Sequence, residues 1–250
     1  MSAETVIGSG AGVLVVVPAY NEEDCIADVV RAVIAAGHRC LVVSDASTDR
    51  TVARANDAGA TTIALPINLG VGGALRCGWR YAHDRGEQVV VQVDGDGQHP
   101  IDSIGELIAV AERDGLDMVI GSRFAHGGSH EGVSWFRRRC MNLLSRILRR
   151  SAGVTLSDPT SGFRAITQPL LGEFAESFPH HFLGDTFEAE LVAGRRGYRI
   201  GEIAIAMRAR QGGTPSADIY ASGRAMLRAL VVLVTGTSFD VRSRQSMPRR

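Results

Sequence analysis

The chain contains no lysine: all 27 of its basic residues are arginine, and 27 acidic residues offset them over a length of 250. A phosphate-binding loop of the GxxxxGK[ST] type is therefore excluded. The zero formal net charge leaves no basic footprint of the kind that tracks a nucleic-acid backbone, so no nucleic-acid partner is expected. The four cysteines, Cys25, Cys40, Cys77 and Cys140, are scattered and form no CxxC pair. Neither a zinc site nor a disulfide framework follows from that spacing, and a reducing cytoplasm is the expected home. No stretch approaches the roughly 20 apolar residues of a membrane-spanning helix. The opening MSAETVIGSGAG lacks a basic start followed by an apolar core, so no export signal is expected.

What is present centres on VVVQVDGDGQHP, Val89 to Pro100. A short run of β-branched residues has the composition of a buried strand, and it breaks abruptly at Asp94, Gly95, Asp96, Gly97 and Gln98. Glycines between the acids let the backbone bend so that Asp94, Asp96 and the Gln98 amide converge on one oxygen-seeking ion. Such a donor set suits Mg²⁺ or Mn²⁺ better than zinc, and a nucleotide diphosphate is the usual partner that completes the shell.

The rest of the chain alternates strand and helix. Val13 to Val17, Arg39 to Ser44, Thr61 to Leu65, Val89 to Val93 and Met118 to Gly121 read as strands, with helical patterns beginning near Glu22, Thr51, Ala74 and Ile101. Tyr198 to Met207 reads as an edge strand, and Gly184 to Phe187 opens a further helix. This alternation predicts an α/β fold with a mostly parallel sheet, in which ligands bind beyond the carboxyl ends of the strands. Tyr20, Asn21, Asp45, Asn68, Asp94 and Asp96 would gather there. A dinucleotide-binding fold needs GxGxxG directly after the first strand; Gly8, Gly10 and Gly12 precede it, and Leu75 stands where Gly70-x-Gly72 would need a third glycine.

VVVPAYNEE (Val15 to Glu23), SDASTD (Ser44 to Asp49), NLGVGGALRCG (Asn68 to Gly78), VDGDGQHP (Val93 to Pro100) and GSRF (Gly121 to Phe124) occur in the order and spacing of the family-two glycosyltransferases of the GT-A fold, which the chain resembles over roughly Val13 to Ser216. QHP and DPTSGFRA (Asp158 to Ala165) are most similar to the dolichol-phosphate mannosyltransferase group and its bacterial polyprenyl-phosphate relatives. The resemblance implies a sugar donor linked to GDP or UDP, bound by Pro18, Tyr20, Asn21, Glu22, Asp45, Asn68 and Asp94, with Asp96, Gln98 and Asp94 on a divalent cation. Arg123 would add positive charge near the phosphates, and Arg210 takes the place of an arginine of the resembled group. Two positions depart from it: Ser44 replaces the first of two adjacent aspartates, and Pro215 and Ser216 replace a serine-lysine pair.

The second half is expected to hold the acceptor. Ser134 to Ser151 places Phe136, Cys140, Leu143, Leu144 and Ile147 on one helical stripe, opposed or flanked by Arg138, Arg139, Arg146, Arg149 and Arg150. That pattern fits a helix lying on an anionic membrane or an ordinary surface helix with a solvated basic face. Arg137, Arg138, Ser161 and Arg164 are the candidate contacts to an acceptor phosphate. Asp185 is a candidate base, needed where a hydroxyl attacks but not where a lipid phosphate, largely dianionic at neutral pH, is itself the nucleophile. The histidines His126 and His130 read as part of a glycine-rich loop over the site, and His99 as shaping the aspartate turn.

The expected organisation is a tail (1–12), one domain (13–235) with a nucleotide-binding half (13–123) and an acceptor half (124–235), and a basic tail (236–250). An apolar helix near Ala221 to Val234 is too short to span a bilayer. The implied activity is an inverting, metal-dependent transfer of a hexose to a polyprenyl monophosphate, by a cytoplasmic protein held at the inner face of the membrane. A same-fold enzyme using a saccharide or other hydroxyl acceptor, and an inactive nucleotide-sugar-binding module, are the alternatives.

Overall fold

In the computed structural model, residues 12–125, 135–178 and 185–207 are described. Valine-rich segments form the centre of one seven-stranded sheet: β1 (Leu14–Ala19), β2 (Arg39–Ser44), β3 (Thr61–Ala64), β4 (Val89–Gln92), β5 (Met118–Ser122), β6 (Arg164–Thr167) and β7 (Ile200–Ala204). The spatial order is β3-β2-β1-β4-β6-β5-β7. Every pairing is parallel except the two made by β6, which runs antiparallel between β4 and β5. The expected α/β class and mostly parallel sheet are thus found, and the segment at Tyr198 to Met207 supplies the edge strand. The strand β6 was hidden inside what reads as a turn-rich loop, because its four residues, RAIT, carry no clear apolar alternation.

Side chains of a strand alternate between the two faces, and here both faces are covered. Leu14 and Val16 of β1, Leu41 and Val43 of β2, and Met118 and Ile120 of β5 pack toward α3 (Gly70–Asp84), α6 (Leu170–Ser177) and α7 (Asp185–Arg195). Val15, Val17, Val42, Val91 and Val119 face α1 (Ile26–Ala35), α2 (Thr51–Asp57) and α4 (Ile104–Asp114). Continuous apolar strands are what a sheet buried on both faces requires. Trp79 of α3 is fully buried and meets the edge of Phe178, which in turn meets Phe174 at 5.0 Å. Truncating any of these rings would cost about 3–5 kcal/mol. Helix α3 reaches the sheet closely because a Cβ on Gly78 would lie 2.4 Å from Val16 Cγ1.

Helix α5 (Trp135–Ala152) turns part of its apolar stripe toward the core. Met141 and Leu148 are buried, and Leu144 and Ile147 pack against the core. Of the described members of the stripe, Leu144 and Ile147 are thus spent on packing, while Leu143 is 38% exposed beside the exposed Arg139, Arg146 and Arg150; the side chains of Phe136 and Cys140 lie outside the described residues.

Candidate active site

The carboxyl ends of β1, β2 and β4 open onto one edge of the sheet, where three loops interlock. Asn21, held at φ 53, donates its N–H to Ser47 Oγ, and its Oδ1 accepts from the Thr48 N–H at 2.9 Å. Glu22 N donates to Thr51 Oγ1, and Glu23 N to Asp49 Oδ2. Burial would push the Asp49 carboxyl up, but the Thr51 hydroxyl and the backbone N–H groups it accepts from outweigh that and hold it below its ordinary value. The loop after β1 is thus fastened to the loop after β2 by backbone donors and side-chain acceptors. Tyr20, half exposed, stands at its rim.

Asp45 directly follows β2 and is 3% exposed. Its Oδ1 accepts from the Leu69 N–H at 2.7 Å, and Asn68 closes a turn by accepting from the Gly70 N–H. The carboxylate therefore fixes the wall formed by the loop between β3 and α3, which leaves Ile67, Leu69 and Val71 about half exposed at the mouth.

The aspartate turn after β4 sits against these loops. A Cβ on Gly95 would touch Glu22 Cγ and Pro18 O. Gly97 has φ 75, a left-handed conformation that costs glycine nothing, and this lets Asp96 Oδ1 accept from the Gln98 N–H at 3.0 Å. His99 is buried and stacked on Phe163 at 5.1 Å. Its Nδ1 accepts from the Asp94 N–H, so the neutral ring carries its proton on Nε2, which faces Asp94 Oδ2 at 3.5 Å. His99 thus shapes the turn as the sequence suggests.

A second arm comes from the segment before β6. Asp158, fully buried, accepts at Oδ1 from Thr160 N and Oγ1 and presents Oδ2 to Arg123 Nε at 3.5 Å. Ser157 donates to Glu202 of β7 through its N–H and is joined to Ser122 through its hydroxyl. Gly162 brings this arm onto the aspartate turn, since a Cβ there would lie 2.7 Å from Asp94 Oδ2. The segment from Asp158 to Gly162 thereby reaches Arg123 at one end and Asp94 at the other.

The site's chemistry fits a hard divalent cation. Asp94 and Asp96 are oxygen donors on one turn, and no cluster of three or more His, Cys, Asp or Glu residues suited to a metal occurs among the described residues. Two carboxylates with the Gln98 amide leave most of an oxygen shell to a diphosphate and water, the usual arrangement for Mg²⁺.

The family model described as Glycosyl transferase family 2 matches residues 14–174, more than half the chain. The chain belongs to glycosyl transferase family 2. Polyprenol monophosphomannose synthase of Mycolicibacterium smegmatis is 30% identical over 217 residues, covering 79% of this chain and 78% of that protein. Undecaprenyl-phosphate mannosyltransferase of Micrococcus luteus is also 30% identical, covering 77% and 82%. Among solved structures, glucosyl-3-phosphoglycerate synthase of Mycobacterium tuberculosis superimposes with a TM-score of 0.66 at 24% identity, over 90% of this chain and 80% of that one. The same protein has been crystallised with Mn²⁺ and UDP, matching with a TM-score of 0.65. This likeness shows that the glycosyltransferase has the GT-A fold.

Within this glycosyltransferase the structure gathers Pro18, Tyr20, Asn21, Glu22, Asp45, Asn68, Asp94, Asp96, Gln98 and Arg123 at one sheet edge. Two acceptor candidates are corrected. Ser161 is buried, with its hydroxyl donating to Gly121 O at 2.6 Å. Arg164 is 0% exposed beneath the aspartate turn, so neither presents surface to an incoming phosphate. The side chains of Arg137, Arg138 and Asp185, and all of Arg210, His126, His130, the expected helix near Ala221 to Val234, residues 1–11 and the C-terminal tail, lie outside the described residues.

Two buried polar residues near the site have no role in the sequence reading. Gln92 is a buried amide in the valine strand β4, and a lone glutamine in VVVQV was the available signal. Glu190 of α7 is fully buried, with neither carboxyl oxygen hydrogen-bonded to a described residue. Burial pushes its carboxyl well above the ordinary value of 4.5; Arg164 opposes the shift, and Asp158 and Glu202 add to it.

Proposed function

We propose that this glycosyltransferase moves a hexose from a nucleotide diphosphate sugar, linked to UDP or GDP, to a polyprenyl monophosphate, with inversion at the sugar carbon. The observation that carries the reading is the pair of relatives at 30% identity, matched over more than three quarters of their length, whose names specify polyprenol and undecaprenyl phosphate. The Asp94–Asp96 turn supports a metal-assisted departure of the diphosphate. A phosphate oxygen of the acceptor attacks the anomeric carbon as the bond from that carbon to the diphosphate breaks. The electron pair leaves with the nucleoside diphosphate, and a polyprenyl-phosphate sugar is formed. A dianionic phosphate has no proton to lose, so this route requires no general base.

The loops after β1 and β2 hold the nucleoside, with Asp45 setting the wall at Leu69. Asp94, Asp96 and Gln98 would hold Mg²⁺ or Mn²⁺, which would supply positive charge to offset that developing on the leaving diphosphate. Arg123, aimed by Asp158, adds a fixed positive charge beside the segment that reaches Asp94. No described helix is long and apolar enough to cross a membrane, and the exposed arginines of α5 supply a basic face toward anionic lipid at the cytoplasmic surface.

Asp185→Asn tests the acceptor class. With a lipid phosphate as nucleophile, the variant retains kcat within about threefold. Loss of 10²-fold or more, the scale of a missing general base, would move the assignment to a hydroxyl acceptor.

A further inference from the structure

Beneath the aspartate turn runs a buried chain of polar contacts. Arg164 Nε donates to Gln92 Oε1 at 2.8 Å, and Gln92 Nε2 donates to Asp94 Oδ1 at 3.3 Å. The chemistry of the three groups fixes its direction. A guanidinium can only donate, so it must face the amide oxygen; the amide NH₂ is thereby turned toward Asp94, where an ionised carboxylate can only accept. Gln92 is 2% exposed and Arg164 0%, so water cannot substitute for either. Burying an amide and a guanidinium in a valine-rich sheet is costly unless their contacts are made, which argues for a purpose beyond packing.

We propose that Gln92 and Arg164 are positioning residues that set the Asp94 carboxylate for the cation and diphosphate. Arg164 decides which end of the Gln92 amide faces upward, and Gln92 then holds one oxygen of Asp94. His99 faces the other oxygen and Gly162 lies close to both, so the carboxylate, itself 40% exposed, is set from three sides. The relay also reaches the acceptor half. Arg164 Cζ lies 5.8 Å from the Phe178 ring, and its charge acts on Glu190 of α7, the helix that begins at Asp185. This inference rests on the reading of Asp94 as a group that faces metal and diphosphate.

Gln92→Glu is the deciding variant. The introduced carboxylate keeps the shape and accepts from Arg164, so the fold is retained, but a negative oxygen replaces the donor that faces Asp94. Added negative charge alone would tighten cation binding, whereas loss of orientation weakens it, so the sign of the change separates the two. Mn²⁺ affinity is measured from the free-ion electron paramagnetic resonance signal, with UDP and separately with GDP. The expected result is about 10-fold weaker Mn²⁺ binding, within the range for groups that orient a metal ligand, together with a lower kcat and an unchanged melting temperature. Gln92→Met, which removes the donor without adding charge, should weaken Mn²⁺ similarly wherever it folds.

Wild-type or tighter Mn²⁺ affinity in Gln92→Glu, with kcat unchanged, overturns the relay. Asp96→Ala is the control. If it too leaves Mn²⁺ binding unaltered, the metal reading itself fails, which is a different result from failure of the relay alone.

Discussion

Gly162→Ala isolates the contact on which the candidate site turns. A methyl at Gly162 would fall 2.7 and 2.8 Å from the two oxygens of Asp94, where ordinary contact begins near 3.4 Å. The Asp94 carboxylate must therefore retreat by about 0.7 Å, because the methyl sits on backbone that is continuous with β6. It has somewhere to go, being 40% exposed, so the fold loses little: about 1 kcal/mol or less, and a melting temperature within about 4 °C of wild type. Function loses more. A misplacement near 1 Å costs on the order of 100-fold, so kcat/KM should fall between ~10- and ~100-fold, equivalent to about 1.4–2.7 kcal/mol of transition-state stabilisation. Initial transfer rates at saturating Mn²⁺, paired with thermal melts, measure both quantities. The same substitution in an Asp94→Ala background should cost nothing further, since the clashing oxygens are gone. Full activity in Gly162→Ala, or an equal additional loss in the double variant, would refute the placement of Asp94 in the site.

Two other outcomes follow from buried and exposed charge. Glu190 has a folded-state value well above its ordinary 4.5. As pH rises from about 4.5 toward that value, the folded chain keeps a proton the unfolded chain has released, so stability falls with pH by up to ~1.4 kcal/mol per unit. Glu190→Gln should abolish that slope in denaturant melts between pH 5 and 8; an identical slope in the variant would show that Glu190 is ionised throughout. On α5, Arg146→Gln with Arg149→Gln should weaken binding to phosphatidylglycerol vesicles about 30-fold, at ~1 kcal/mol for each arginine, without altering the melting temperature. Unchanged sedimentation with vesicles would remove α5 from the membrane contact.

The sheet was legible because its valine runs need burial on both faces, and the turn after β4 because Asp-Gly-Asp-Gly ends such a run. Helix α6 was legible in principle: Leu170, Leu171, Phe174 and Ala175 recur at helical spacing after Pro169. Strand β6 was not, because its pairing is a long-range event that RAIT does not announce. The same cause misplaced Arg164, whose neighbourhood to an arginine-rich helix and a turn motif suggested an exposed phosphate ligand. Antiparallel pairing of Arg164 with Gln92 draws its side chain under the sheet edge instead. Asp45 was found by its place at a strand end, but its bond to Leu69 depends on where the loop before α3 folds back, and no local pattern encodes that. For α5, apolar periodicity fitted both the core and a lipid surface, and it is the neighbouring α7 that turns Leu144 and Ile147 to the core.

The most direct test of the proposed activity is a single reaction. Purified protein, Mn²⁺ and undecaprenyl phosphate are incubated with labelled GDP-mannose, UDP-glucose, UDP-galactose or a UDP-N-acetylhexosamine, beside Asp96→Ala. The account predicts label in the organic phase with one of these donors, released by mild acid and absent in the variant. Label confined to the aqueous phase, as free sugar or on a soluble acceptor, would contradict it.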